Sequence, residues 1–263
     1  MRIESLQNPK IKNLLKLQEK SRERKKQNTF VVEGLQENRL AIEGGFRALE
    51  FYICEDIFDD NLPLENGKIY KVNKPVFEKI AYRKTTGGIV GVYATKENNL
   101  SGVELPENAL ILVLEAVEKP GNLGAILRTA DGAKVDAVIV CDETVDFYNP
   151  NVIRSSVGTL FTNQIASGSK EEVLNFLKNN NIQIVSTFLR DNTKSLYDMD
   201  FSSSSAIVLG TEATGLSDFW ADESDVLIKI PMLGKVDSLN VSNAAAICVY
   251  EAVRQRPVSY THL

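Results

Sequence analysis

Histidine is nearly absent from this chain: the only one, His262, stands one residue from the end of a tail, Pro257 to Leu263, that has no readable periodicity. Neither a histidine general base nor a histidine zinc ligand is expected, which removes most hydrolase mechanisms. Cysteine is also scarce. Cys54, Cys141 and Cys248 are widely separated and odd in number, so no disulfide framework and no CxxC redox or metal site is expected. Long apolar runs are missing too. The longest, Ala244 to Tyr250, is far short of the roughly 18 residues that a membrane helix needs, and Met1 to Pro9 lacks a signal-peptide pattern. The expectation is a soluble cytoplasmic protein with no metal and no membrane partner.

With 263 residues, 43% of them hydrophobic, the chain can bury one large or two modest cores. Its net charge of −5 is unevenly spread. Residues 1–100 carry 18 Lys and Arg against 14 Asp and Glu, whereas the remainder carries 12 against 21. The basic excess gathers at Lys10, Lys12, Lys16, Lys20, Arg22, Arg24, Lys25 and Lys26, with only Glu19 and Glu23 opposing it. Such a patch binds phosphates even on an acidic protein; equally, it is the composition of a solvated helix surface.

Two units are expected. In the first, Ile11, Leu14, Leu15 and Leu17 predict an amphipathic helix within Lys10 to Lys26 with a basic outer face. A strand at Thr29 to Val32, a helix through Leu35, Leu40, Ala41 and Ile42, and strands at Leu49 to Ile53 and Ile89 to Tyr93 complete a small α/β unit. The polar stretch Lys96 to Asn108, with Gly102 and Pro106, reads as the connection, which places one domain at 1–97 and another at 98–256. In the second, the apolar runs Leu110 to Val117, Val135 to Cys141, Ile182 to Phe188, Ala206 to Leu209 and Val226 to Ile230 alternate with helical segments. They predict a mostly parallel sheet covered on both faces.

Three loops follow three of these strands and converge at one end of such a sheet, where ligands bind in open α/β folds. The first is KPGNLGAILRTADGA, 119–133, in which Asn122 is the expected N-cap and Leu123, Ile126, Leu127 and Ala130 share the buried face. Arg128 falls nearly opposite, free to meet a ligand or another subunit. A dinucleotide-binding reading competes, but Gly121 and Gly124 form GxxG where GxGxxG is required. The second is IVLGTEATGLSD, 207–218, with Gly210, Glu212 and Gly215 in the turn; a carboxylate there orients a ligand or caps the next helix. The third is IKIPMLGKVDSLNVSNAAAICVYE, 228–251, where Ser238 or Asn240 caps a helix whose apolar face is Val241, Ala244, Ala245, Cys248 and Ala252.

Taken in order, these segments resemble the three signature motifs of the SpoU, or TrmH-like, RNA 2′-O-methyltransferases over essentially all of residues 109–254. Asn122, Gly124 and Arg128 match the first motif; Gly210, Glu212 and Gly215 the second; Ile230, Pro231, Met232, Ser238, Leu239, Asn240 and Ser242 the third. Arg154, Ser156 and Gly158 match an intervening RxSxG segment, and FVVEG at 30–34 resembles a substrate-binding domain that many members carry ahead of the catalytic one. Lys119 and Ala213 depart from the pattern, standing where Asp and Gly are frequent.

The resemblance implies a trefoil-knotted, mostly parallel α/β domain with helices on both faces, preceded by a small α/β RNA-binding domain, and a homodimer. It further implies S-adenosylmethionine as cofactor, held by Gly210, Gly215, Ile230, Met232 and Leu239, and methyl transfer to a ribose 2′-hydroxyl. Arg128, Asn122, Glu212, Asn240 and Ser238 would carry the chemistry. Arg128 would act as base or, because a guanidinium with a pKa above about 12 is a poor base, as a stabiliser of phosphate and developing alkoxide. RNA would be held by the basic residues of 10–26 and by Arg154. Family analogy favours ribosomal RNA of the large subunit; transfer RNA, or binding of RNA without methylation, are the alternatives.

Overall fold

The computed structural model describes residues 1–64, 66–82, 87–142, 145–190, 193–211 and 215–257. Contacts divide the chain into two units, residues 1–97 with 146–162, and residues 98–145 with 163 onward. The segment 146–162 therefore leaves the expected 98–256 span.

In the first unit β1 (Arg2–Ile3) precedes α1 (Pro9–Glu19), α2 (Ser21–Gln27), β2 (Thr29–Glu33), α3 (Leu35–Glu43), β3 (Ala48–Ile53), β4 (Lys68–Val72), α4 (Lys74–Ile80) and β5 (Ile89–Ala94). The sheet order is β1-β4-β3-β5-β2, with β5 antiparallel to both neighbours and the rest parallel. One face is covered by Ile11, Leu14 and Leu17 of α1 with Val76, Phe77 and Ile80 of α4. On the other, Phe30 stacks on Tyr148, ring centroids 4.3 Å apart, and on Phe161 at 5.9 Å. Those two rings are what the segment 146–162 contributes, and burying them explains its allegiance.

The expected single basic helix is two helices. Lys20 is extended and ends α1, so α2 sets off in a new direction and turns Arg24 inward. The Arg24 guanidinium donates to the carbonyls of Leu17 and Gln18 at the end of α1 and pairs with Asp146 at 2.8 Å, with only 3% of the residue exposed. Short, mixed-pattern β4 and α4 escaped the periodicity reading.

In the second unit β6 (Leu110–Glu115), α5 (Pro120–Gly132) and β7 (Ala137–Cys141) come first. After α6 (Pro150–Ser155), which belongs to the first unit, follow β8 (Ile165–Gly168), α7 (Lys170–Asn179), β9 (Gln183–Thr187), β10 (Lys194–Ser195), β11 (Ser205–Leu209), α8 (Asp218–Glu223), β12 (Val226–Lys229) and α9 (Val241–Gln255). The order is β10-β12-β9-β11-β6-β7-β8, and every pairing is parallel. Ile111 and Val113 pack with Val173 and Leu177 of α7 and Trp220 of α8. Leu110, Leu112 and Leu114 alternate to the opposite face, where α5 and α9 meet β7 and β11. Both faces are thus covered, which is why these strands read as unbroken apolar runs.

Two details differ from expectation. Helix α5 starts at Pro120, whose fixed φ and missing N–H suit a first helical position, so Asn122 lies in the first turn and is not the cap. Ala244 is half-buried, and Val249 and Glu251 join the buried face of α9.

Candidate active site

The carboxyl ends of β9, β11 and β12 surround a cavity of about 540 Å³ within the second unit. Leu209, Ile228, Ile230, Met232 and Leu239 give it apolar walls, while Arg190, Asp218, Lys229 and Asp237 place charge on its lining. Arg190 pairs with Asp218 and lies over the Phe188 ring, 4.9 Å from its centroid.

Gly210 begins the loop that follows β11. A Cβ there would lie 2.2 Å from the carbonyl carbon of Gly215 and 2.3 Å from the nitrogen of Leu216, so only glycine lets the loop close. Thr211 and Gly215 exchange backbone hydrogen bonds at 3.2 and 3.1 Å, and Gly215 takes a φ of +68°. Glu212 and Ala213 lie outside the described residues, as does His262. Gly121, by contrast, would carry a Cβ into open space. No close backbone approach, of the kind a dinucleotide turn requires, depends on that glycine.

The third loop runs from Pro231 to Asn240, the N-cap of α9, whose side chain accepts from the Ser242 amide at 3.0 Å. Ser238 and Leu239 line the cavity, as do Val241 and Ala244 from the start of α9. Asn240 also donates to Oδ1 of Asn122 at 3.2 Å, so the first and third motifs touch. Gly210, Gly215, Ile230, Met232, Ser238 and Leu239 are thus gathered round one cavity. Asn122 and Asn240 meet beside it in the chain, and Arg128 stands on the exposed face of α5, outside the lining.

Sequence reasoning missed Glu115, the last residue of β6. Its two carboxylate oxygens accept from the Ser217 amide at 2.7 Å and the Ser217 hydroxyl at 2.6 Å. Phe188, Arg190 and Asp218 were missed as well; nothing in their spacing marks them.

The cations expected to meet RNA fare differently. Lys12, Lys16, Lys20, Arg22, Lys25 and Lys26 are exposed. Lys10 bonds Glu50, which raises its pKa, and lies 4.7 Å from the Tyr70 ring centroid. Arg24 is buried in its pair with Asp146 and is withdrawn from any phosphate. Arg154 bonds Asn151, approaches Glu33 at 3.8 Å and lies over Tyr82, 4.2 Å from its centroid. Among the described residues, no helix is long and apolar enough to cross a membrane, and no group of three or more metal-ligating side chains is present.

A parallel α/β sheet with loops gathered round a cavity at its strand ends defines a ligand-binding α/β domain. The chain belongs to the SpoU rRNA Methylase family, which residues 109–250 match; residues 8–91 match the MRM3-like substrate binding domain. It is 32% identical over 251 residues to the 23S rRNA (guanosine(2553)-2′-O)-methyltransferase RlmP of Bacillus subtilis, covering 94% of this chain and 97% of that one. Against the 23S rRNA (guanosine-2′-O-)-methyltransferase RlmB of Haemophilus influenzae, identity is 34% over 80% of this chain and 91% of the other. The AdoMet-bound rRNA methyltransferase of Sinorhizobium meliloti superposes with a TM-score of 0.87 at 27% identity, covering 97% of each chain.

Proposed function

We propose that this protein transfers a methyl group from S-adenosylmethionine to a ribose 2′-hydroxyl of ribosomal RNA of the large subunit. The observation that carries this reading is the convergence of the second and third motifs, through Gly210, Gly215, Ile230, Met232, Ser238 and Leu239, on one cavity. The naming of its relatives as 23S rRNA enzymes supports the substrate.

The cavity suits the cofactor. Its volume of about 540 Å³ falls in the usual range for small-molecule sites, roughly 300–1,000 Å³. The apolar walls match an adenine ring, and the Arg190, Asp218, Lys229 and Asp237 side chains offer both signs of charge to a methionine ammonium and carboxylate. Gly210 opens space that a Cβ would fill. Bound there, S-adenosylmethionine supplies a methyl group made electrophilic by its sulfonium.

The chain's own residues do the rest. Leu239, Gly210 and Ile230 offer backbone groups to the cofactor. Asn122 and Asn240, locked together, orient the ribose, with Ser238 and Glu212 assisting. The Arg128 guanidinium holds the neighbouring phosphate and steadies charge developing on the 2′-oxygen. The same reading includes a trefoil knot, a homodimer and a cytoplasmic location. The family match over residues 109–250 supports the first. The exposure of Arg128, outside the lining of its own cavity, supports the second, because a neighbouring copy gives it a route to a site.

The test is transfer of radiolabelled methyl to total bacterial RNA, followed by separation of RNA species and nucleoside analysis. Label in 2′-O-methylribose of large-subunit RNA is expected. Label confined to transfer RNA overturns the substrate, and no label in any RNA overturns the activity.

A further inference from the structure

Glu115 ends a strand whose other residues are all apolar, and it is 6% exposed. A buried carboxylate is costly unless hydrogen bonds replace its water. Here Ser217 supplies two, from its amide to one oxygen and from its hydroxyl to the other. Ser217 sits at the N-cap of α8, yet its hydroxyl serves Glu115 and makes no bond to the helix.

The placement of these bonds matters more than their number. The loop after β11 leaves from Leu209, which is in register with Leu114 of β6. It ends at Ser217, which is bonded to Glu115. Both ends of the loop are therefore held by consecutive residues of one buried strand, and between them lie Gly210, Thr211, Gly215 and Leu216, all lining the cavity. Asp218, next along, lines it too, and Trp220, fully buried, anchors the short helix beyond.

We propose that Glu115 is a positioning residue for the cofactor site, acting through Ser217 to hold Gly210, Thr211, Gly215 and Leu216 where they line the cavity that receives S-adenosylmethionine. The inference rests on the cofactor reading above. Loss of one partner of a charged, buried hydrogen bond leaves the other unsatisfied, so the loop relaxes and the cavity wall with it.

The test uses the full chain, without RNA for the binding and exchange measurements and with total bacterial RNA for turnover. Titration calorimetry with S-adenosylmethionine and amide hydrogen exchange of the cofactor-free protein are measured on Glu115→Ala, Glu115→Gln and Ser217→Ala. Glu115→Ala is expected to weaken cofactor binding on the order of tenfold and to expose the Ser217 amide to exchange. Ser217→Ala keeps the backbone donor and loses about threefold, an order-of-magnitude figure for one of the two bonds. Glu115→Gln, which still accepts from the amide, is expected to restore binding to within about threefold. In Glu115→Ala, raising cofactor concentration is expected to restore turnover, an outcome that a role in proton handling would not give.

A lowered unfolding temperature with unchanged cofactor affinity in Glu115→Ala and Ser217→Ala makes the contact merely structural and overturns the proposal. If Glu115→Ala does not fold, Ser217→Ala and Glu115→Gln decide the matter alone. Failure of the parent protein to bind S-adenosylmethionine removes the cofactor reading itself, and this inference with it.

Discussion

The side-chain amide of Asn240 donates to Oδ1 of Asn122 across 3.2 Å, joining the N-cap of α9 to the first turn of α5. The same Asn240 side chain accepts from the Ser242 amide and hydroxyl, so one residue both caps a helix and reaches a second motif. The two duties are separable. Asn240→Ala removes both and is expected to cost about 1 kcal/mol of stability along with most of the methyl transfer. Asn240→Asp keeps the capping acceptor but loses the donor to Asn122. Its melting temperature is expected to match the parent while the rate falls at least about tenfold, the order that misplacing an orienting group costs. A full rate in Asn240→Asp would remove the pair from the mechanism.

Arg128 lies on the exposed face of α5 and lines no part of the cavity. Arg128→Ala is accordingly expected to abolish methyl transfer to RNA while leaving the affinity for S-adenosylmethionine unchanged. Arg128→Lys is expected to recover little, because an ammonium does not reproduce a planar guanidinium on phosphate. Calorimetry for the cofactor and single-turnover transfer for the reaction check both halves.

The basic residues of α1 and α2 divide into two kinds. Reversing charge at Lys12, Lys16, Arg22 and Lys26, all exposed, is expected to weaken RNA binding and to flatten its dependence on salt, with no change in melting temperature. Arg24→Ala is expected to do the reverse. Among the described residues it leaves the Asp146 carboxylate only the Ser21 hydroxyl and the Tyr148 amide and removes the donor to two helix-end carbonyls, and breaking a buried pair costs about 3–5 kcal/mol. Filter binding at several salt concentrations and urea unfolding separate the two classes.

Stability is expected to fall on the alkaline side. Burial pushes the Cys248 thiol up to about 12 and drives Cys141, Tyr52 and Tyr93 upward as well; for Tyr52 a hydrogen bond to Glu50 adds to it. In the unfolded chain a cysteine ionises near about 8.5, while the native state still holds its proton. Unfolding then releases a proton, and stability falls by up to about 1.4 kcal/mol per pH unit for each such group. The contribution is intact below the unfolded value and is lost as pH rises through the folded one. Urea unfolding at pH 7.5, 9 and 10 measures the slope, and Cys248→Ala is expected to make it shallower.

Much of the second unit was legible because its strands are covered on both sides. Leu110 to Leu114 and Val138 to Cys141 present no polar face, so burial wrote an unbroken apolar run into each. The helical faces of α5 and α9 were legible for a related reason, since Leu123, Ile126, Leu127 and Ala130 recur at the helical period. Strands β4 and β8 were not, because Lys68 to Val72 mixes exposed Ile69 with buried Tyr70, and Ile165 to Gly168 follows two apolar residues with a serine and a glycine. Of the candidate site, the residues of the motifs and the convergence of their loops were named in advance, but particular placements were not: nothing in the chain says that Asn122 touches Asn240 or that Arg128 lines no part of the cavity.

By itself, the sequence determined where most of the strands and helices run and which loops carry the unusual glycines, for these follow from local periodicity and backbone freedom. Only the tertiary structure decided which charges face solvent and which are spent inside. Arg24 looks like its neighbours until the break at Lys20 turns it toward Asp146, and Glu115 is one acid inside the apolar run Leu110 to Val117 until Ser217 meets it. Burial of a charge depends on a partner brought near by folding, here about a hundred residues away in sequence.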